Sequence, residues 1–186
     1  MSTIGIIVGS TRPGRYSEQV AHWVLDRAQG RESRYELVDL AEVGLPHLDE
    51  PVPASAGQYA HEHTQRWSTR IAALDGFVFV TPEYNHGIPG VLKNAIDYLY
   101  REWNDKAAGI VSYGVTGGAR AAEQLRQIAA ELRLATVRAH VPLSFHHDFR
   151  EFTTLAPEPH QESLLSDLLG EVEAWTGALE PLRKAA

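Results

Sequence analysis

Ile4-Gly5-Ile6-Ile7-Val8-Gly9-Ser10-Thr11-Arg12-Pro13-Gly14-Arg15-Tyr16-Ser17 decides the fold class. Its β-branched opening reads as a strand buried on both faces, the signature of the interior of a parallel sheet. The Gly-, Ser- and Pro-rich middle is a turn. Ser17 is a candidate N-cap for a helix with Val20, Trp23, Val24 and Ala28 on one face. The same alternation continues along the chain. Further strands are predicted at 35–39, 77–81, 109–113 and 136–141, and further helices at 58–74, 90–100, 119–134 and 163–182. Five strands alternating with five helices imply an α/β, doubly wound parallel sheet with helices on both faces. Right-handed crossovers leave the strand order 2-1-3-4-5 as the best fit. In such a sheet ligands bind beyond the C-terminal strand ends, which here means the loops 9–17, 82–89 and 114–118.

A chain of 186 residues with 44% hydrophobic and 22% charged residues makes one globular domain spanning 1–186. With 17 Lys plus Arg against 24 Asp plus Glu the net charge is −7, which argues against nucleic acid or an anionic membrane as a partner. There is no cysteine, so thiolate metal sites, disulfides and cysteine nucleophiles are excluded. The start of the chain has no basic segment before its short apolar run, and no apolar stretch approaches the ~18 residues of a bilayer span. A cytoplasmic protein is expected. The segment 45–57 reads as a long surface loop and 142–159 as a second loose stretch. No metal site is expected. His61 and His63 would point to different sides of a helix, and the adjacent pair His146 and His147 diverges on most backbones.

The first loop has the makings of a phosphate cradle. Amides at a helix N-terminus favour an anion. Ser10, Thr11 and Ser17 add hydroxyls, and Arg12 and Arg15 add planar forks suited to phosphate oxygens. Gly9 and Gly14 have Walker A spacing, but Arg15 and Tyr16 stand where that motif needs Lys and Ser or Thr. A plain strand-to-helix turn with solvated arginines is the competing reading.

The second loop and the helix after it read Thr81-Pro82-Glu83-Tyr84-Asn85-His86-Gly87-Ile88-Pro89-Gly90-Val91-Leu92-Lys93-Asn94-Ala95-Ile96-Asp97-Tyr98. This stretch closely resembles the NADPH-dependent FMN reductase family of flavodoxin-like proteins, in its Pro-Glu-Tyr-Asn loop and its Leu-Lys-Asn-Ala-Ile-Asp helix. The Gly-Ser-Thr-Arg-Pro-Gly-Arg loop at 9–15 and the stretch 106–118 match that family too. The resemblance implies a single flavodoxin-like FMN-binding domain. It implies FMN phosphate on Ser10, Arg12, Arg15 and Ser17, with Tyr16 in the same binding set. It implies Pro82, Glu83, Tyr84 and Asn85 along the ring and ribityl chain, and Ser112, Gly114, Gly117 and Gly118 at the other edge. NADPH or NADH is the implied electron donor in a ping-pong reaction. No catalytic side chain is needed, because flavin N5 carries the chemistry. The implied acceptors are small molecules: a quinone, azo compound, nitroaromatic, metal ion or free flavin. Family members are typically homodimers, so a homodimer or a dimer of dimers is expected here. The alternatives are a flavodoxin-type electron carrier and a flavin-binding redox sensor acting through a protein partner.

The residues themselves add detail. Pro82 ends its strand, and Gly87, Pro89 and Gly90 are expected to make a tight turn, with Pro89 starting the helix. Tyr84 offers an aromatic wall and Asn85 a two-sided hydrogen-bonding group. Glu83 either faces the ligand or ties loops together. His86 reads as a surface histidine, and Lys93 with Asp97 as a helix-surface pair. Glycines at 114, 117 and 118 would let the backbone approach a flat ring. Tyr98, Tyr100 and Trp103 are peripheral core or a dimer contact. The last helix, rich in Leu and carrying Trp175, is expected to pack against the sheet or a subunit.

Overall fold

The continuous apolar runs take the centre of a five-stranded parallel sheet of order β2-β1-β3-β4-β5. The computed structural model describes residues 1–185. Its strands are β1 (Thr3–Val8), β2 (Arg34–Asp39), β3 (Gly76–Pro82), β4 (Ala107–Gly114) and β5 (Ala135–Ser144). Every residue of β3 and β4 is buried, whereas the edge strands β2 and β5 are mixed. One face is covered by α1 (Ser17–Arg27) and α6 (Pro159–Ala185), which close over Ile4, Ile6, Val78, Val80 and Val111. The other is covered by α3 (Glu62–Ala72), α4 (Gly90–Asp97) and α5 (Ala119–Glu131), over Ile7, Phe77, Phe79 and Ile110. The flavodoxin-like order expected from the sequence is therefore the observed one. A four-residue helix, α2 (Leu40–Val43), follows β2.

The helix predicted from position 58 starts at Glu62, because the Glu50 carboxylate accepts the amides of Ala60 and His61 and keeps them out of the helix. The last helix begins earlier than predicted, at Pro159, a residue preorganised for a first turn. Its inward stripe of Leu165, Leu168, Leu169, Val172 and Thr176 packs against the sheet as expected, while Trp175 faces outward at 47% exposure. Among the described residues no helix is long and apolar enough to cross a membrane.

Tyr98 and Trp103 are not an exposed interface. They are 0% and 1% accessible in the single chain. Trp103 lies 4.9 Å from Phe77 and 6.2 Å from Trp67, between ring centroids, and its indole N–H donates to the Ile96 carbonyl. The Tyr98 hydroxyl donates to Asp49 at 2.9 Å and pins the 46–49 loop. The aromatic argument for a dimer contact therefore fails. Lys106, also buried, donates from Nζ to the Ile71 and Ala72 carbonyls and closes the C-terminus of α3. Burial pushes its pKa down to about 8.

The stretch after β5 is more ordered than its composition suggests. It holds a hairpin of β6 (Phe149–Arg150) and β7 (Thr154–Leu155), with Glu151 and Phe152 at positive φ in the turn. Gln19 of α1 braces it, donating to the Thr153 carbonyl and accepting the Leu155 amide. Asp148, 1% exposed, is the organising residue. Its carboxylate accepts the amides of Ser144 and Glu158 and the side-chain N–H of Gln161. Asp148→Ala would remove the buried acceptor of all three bonds, so stability should fall by about 3 kcal/mol. Urea unfolding should show a lower midpoint at unchanged slope.

Candidate active site

The loop after β1 is tied down at both ends. The Gly9 amide donates to the Val80 carbonyl at 2.9 Å, and a Cβ at Gly9 would lie 2.8 Å from that oxygen, so only glycine fits. Ser10 is fully buried, with Oγ 2.8 Å from the Tyr84 hydroxyl. Tyr16, not Ser17, is the N-cap of α1. Its backbone is already near helical, which draws Ser17 into the first turn, and no side chain caps this helix end. The first-turn amides keep their partial positive charge. Three buried polar atoms here have no well-aligned hydrogen-bond partner: Arg15 Nε, and the neighbouring hydroxyls of Ser17 and Tyr113. Arg12 is exposed and, among the described residues, in no ion pair. Arg15 differs from expectation. Its Nη2 lies 2.7 Å from Asp39 and 2.6 Å from Glu18, so it is a strut between this loop and the end of β2 rather than a free cation. Tyr16 packs its ring on Phe145 and Phe149, with centroids 5.5 and 5.6 Å away.

In the loop after β3, Tyr84 and Gly87 exchange amide–carbonyl bonds of 2.9 and 3.0 Å. Asn85 (φ 50°) and His86 (φ 69°) are both left-handed, as in a two-residue type I′ turn. The tight turn thus precedes the predicted one, and Pro89 stands as the N-cap of α4 rather than its first residue. Asn tolerates positive φ, but His does so only where its surroundings enforce it. The Ile88 amide donates to Gln124 Oε1 at 2.7 Å, which supplies that enforcement. Asn85 and His86 are exposed. Lys93 and Asp97 form the expected helix-surface pair, 2.6 Å apart.

Glu83 ties loops together. Its amide donates to the Tyr113 carbonyl at 3.0 Å, and its carboxylate accepts both the guanidinium and the amide of Arg120, closing the N-terminus of α5. Burial pulls the Glu83 pKa up, but the hydrogen bonds from Arg120 and Ala121 outweigh it and hold it below the ordinary value.

The loop after β4 is a turn closed by the Gly117 amide on the Gly114 carbonyl at 3.2 Å. Gly117 and Gly118 have φ of 72° and 71°. Added Cβ atoms would lie 2.8 Å from Pro142 Cβ and 2.9 Å from the Tyr113 nitrogen, so the fold itself demands glycine there. Ser112 is fully buried. Its hydroxyl meets the Gly117 carbonyl and His140 and supports the loop from beneath rather than facing a ligand.

The predicted site residues, in the three loops and at the ends of the strands and helix that flank them, therefore gather at the C-terminal ends of β1, β3 and β4, joined by Ser10–Tyr84 and Glu83–Arg120. Arg12 and Asn85 face outward, whereas Ser10, Ser17, Ser112, Gly117 and Gly118 form the floor. Sequence reasoning missed Asp39, Arg120, Gln124 and His140, each remote in the chain from the residue it holds. His61 precedes α3 in an extended conformation, so its ring stacks on that of His63 at 5.2 Å instead of diverging. Among the described residues no group of three metal-ligating side chains forms. Because the folded pKa of Glu83 is depressed, its stabilisation is complete above the unfolded value of roughly 4.3 and is lost as pH falls through the folded value. Glu83→Gln should lower the thermal midpoint at pH 7 and flatten its decline between about pH 5 and 3, as read by circular dichroism melts.

Residues 2–148 match the family model described as NADPH-dependent FMN reductase. An NAD(P)H-dependent FMN reductase of Schizosaccharomyces pombe is 44% identical over 147 residues, covering 77% of this chain and 73% of its own. A 2-hydroxy-1,4-benzoquinone reductase of a Burkholderia species is 35% identical over 136 residues, covering 69% of this chain and 70% of its own. Among solved structures, the flavoenzyme NAD(P)H:(acceptor) oxidoreductase FerB from Paracoccus denitrificans aligns at a TM-score of 0.70 and 25% identity, covering 97% of this chain and 98% of that one. With its topology, its three joined loops and these relatives, the chain belongs to the NADPH-dependent FMN reductase family, a family of oxidoreductases.

Proposed function

We propose that this chain is an NAD(P)H-dependent oxidoreductase that holds FMN across its three loops and passes electrons to a quinone-class acceptor. The observation that carries the reading is the uncapped N-terminus of α1, with the Ser17 hydroxyl, which has no well-aligned partner, behind it and the unpaired Arg12 beside it. This donor set fits a phosphate monoester. Ser10 holds the Tyr84 hydroxyl, which fixes the Tyr84 ring as one wall of the crevice. The left-handed Asn85–His86 turn and the Gly114–Gly118 turn leave backbone at the rim, suited to the polar edge of a flat ring. FMN bound there would supply the two-electron redox chemistry between NAD(P)H and the acceptor. The chain supplies position and electrostatics, and no side chain has to transfer a proton. The similarity to the 2-hydroxy-1,4-benzoquinone reductase supports a quinone-class acceptor. NADPH and NADH are both retained as donors.

The purified protein should carry the absorbance bands of oxidised flavin and bleach when NADPH is added anaerobically. A bound flavin that NADPH leaves oxidised would count against the reductase and favour an electron carrier. Arg12→Ala should weaken FMN binding roughly 10- to 100-fold in a fluorescence titration, as a charge-assisted contact worth about 1.5–3 kcal/mol is lost. Arg15→Ala should act mainly on the melting temperature, since it releases Asp39 and Glu18. The opposite ranking of FMN affinities would overturn this division of roles.

A further inference from the structure

The proton bookkeeping at Ser112 assigns a role to His140. The Ser112 Oγ lies 2.5 Å from the Gly117 carbonyl oxygen and 2.7 Å from His140 Nε2. A hydroxyl has one proton, and a carbonyl can only accept, so the Ser112 proton goes to Gly117. The Ser112 oxygen then offers His140 only lone pairs, and Nε2 must carry the hydrogen. Burial, reinforced by the Arg126 charge and opposed by Glu123, lowers the His140 pKa to about 4, so the ring is neutral at working pH and Nδ1 is bare.

A built irregularity brings His140 to this position. In the β4–β5 ladder Ala108 pairs with Thr136, yet Ile110 pairs with His140, so two extra residues of β5 lie between. An unbroken register would set Arg138 opposite Ile110. The bulged backbone is satisfied from both faces of the sheet. Arg126 of α5 donates to the Val137 and Arg138 carbonyls, and Glu171 of α6 accepts the Ala139 amide. Bulges commonly re-aim a side chain beside a functional site.

We propose that His140 is a positioning residue for the candidate active site. The directed chain His140 Nε2–H to Ser112 Oγ–H to the Gly117 carbonyl holds Gly117 and Gly118 in their left-handed conformation, at the loop assigned to the flavin's ring edge. The inference rests on the proposed function for its link to flavin, but the hydrogen-bond direction stands without it. Glycine pairs are the softest part of a backbone, and beside the Pro142 packing on Gly117 and the Ser144 bond to the Val115 carbonyl, the Gly117 carbonyl gives β5 a hydrogen-bonded hold on this one.

Two measurements separate these parts. Histidine-labelled protein as isolated is examined by long-range proton–nitrogen correlation, with the His140 signals assigned by their absence in His140→Gln. Protonated Nε2 with bare Nδ1 is expected, and the Nδ1–H tautomer would overturn the chain whether or not flavin binds. FMN affinity and the midpoint potential of bound FMN are then measured in variants. His140→Leu should weaken FMN about tenfold and shift the potential, while His140→Gln, whose amide still donates, should stay within about twofold of the parent. Equal losses in both variants would reject the donor role. Ser112→Ala, a small change to a folded core, should match His140→Leu, and the double variant should lose nothing more; additive losses would reject the coupling. If the parent protein binds no FMN, the functional proposal falls and the tautomer measurement still decides the chain.

Discussion

The whole crevice depends on one register. β1, β3 and β4 end nearly level, with Val8 beside Val80, and Pro82 beside Tyr113. That alignment is enforced by packing on both faces, since a one-residue slip would exchange the side chains fitted under α1 and α6 with those fitted under α3, α4 and α5. Because the strands end together, three loops from distant parts of the chain start from a common edge. Short contacts then suffice to join them. One hydroxyl pair connects the first loop to the second, and one carboxylate connects the second to the third. The core thus positions the site, and the polar residues only refine it.

Much of this was legible in the sequence. Ile4 to Val8 and Phe77 to Thr81 could be read as interior strands because their apolar runs are unbroken. The three loops could be placed because strand ends locate ligand sites in this topology, and the resemblance supplied the ligand class. What could not be read was any role set by a distant partner. Arg15 looked like a phosphate ligand, but Asp39, 24 residues on, claims it. Ser112 looked like a rim residue until His140, 28 residues on, turned it into a support. The β6–β7 hairpin left no signal because its turn uses Glu151 and Phe152 at positive φ, where a sequence reader looks for Asn or Gly. Tyr98 and Trp103 misled in the opposite direction. Aromatic clustering looks the same in a core and in an interface, and only packing separates the two.

Charge is distributed with the same economy. A chain of net charge −7 could attract a phosphate only by keeping local cations free of its own carboxylates. Most arginines are already committed. Arg15, Arg27, Arg31, Arg120 and Arg133 each lie against an acid. Arg12 is not, and it stands beside a helix end that nothing caps. At short range an unpaired cation and an uncapped helix end outweigh the diffuse negative field of the remainder, which salt and water screen.

The Glu83 contact carries a consequence for ligand size. Helices α1 and α5 both present an amino end at this edge of the sheet, and a ligand with two separated phosphates could in principle span them. Glu83 fills the α5 position with the protein's own negative charge. Of that pair, only the α1 end is left to an outside anion. The edge would therefore count phosphates: a ligand with one phosphate would find one open helix end, while a ligand with two, held the same way, would meet the Glu83 carboxylate at the second.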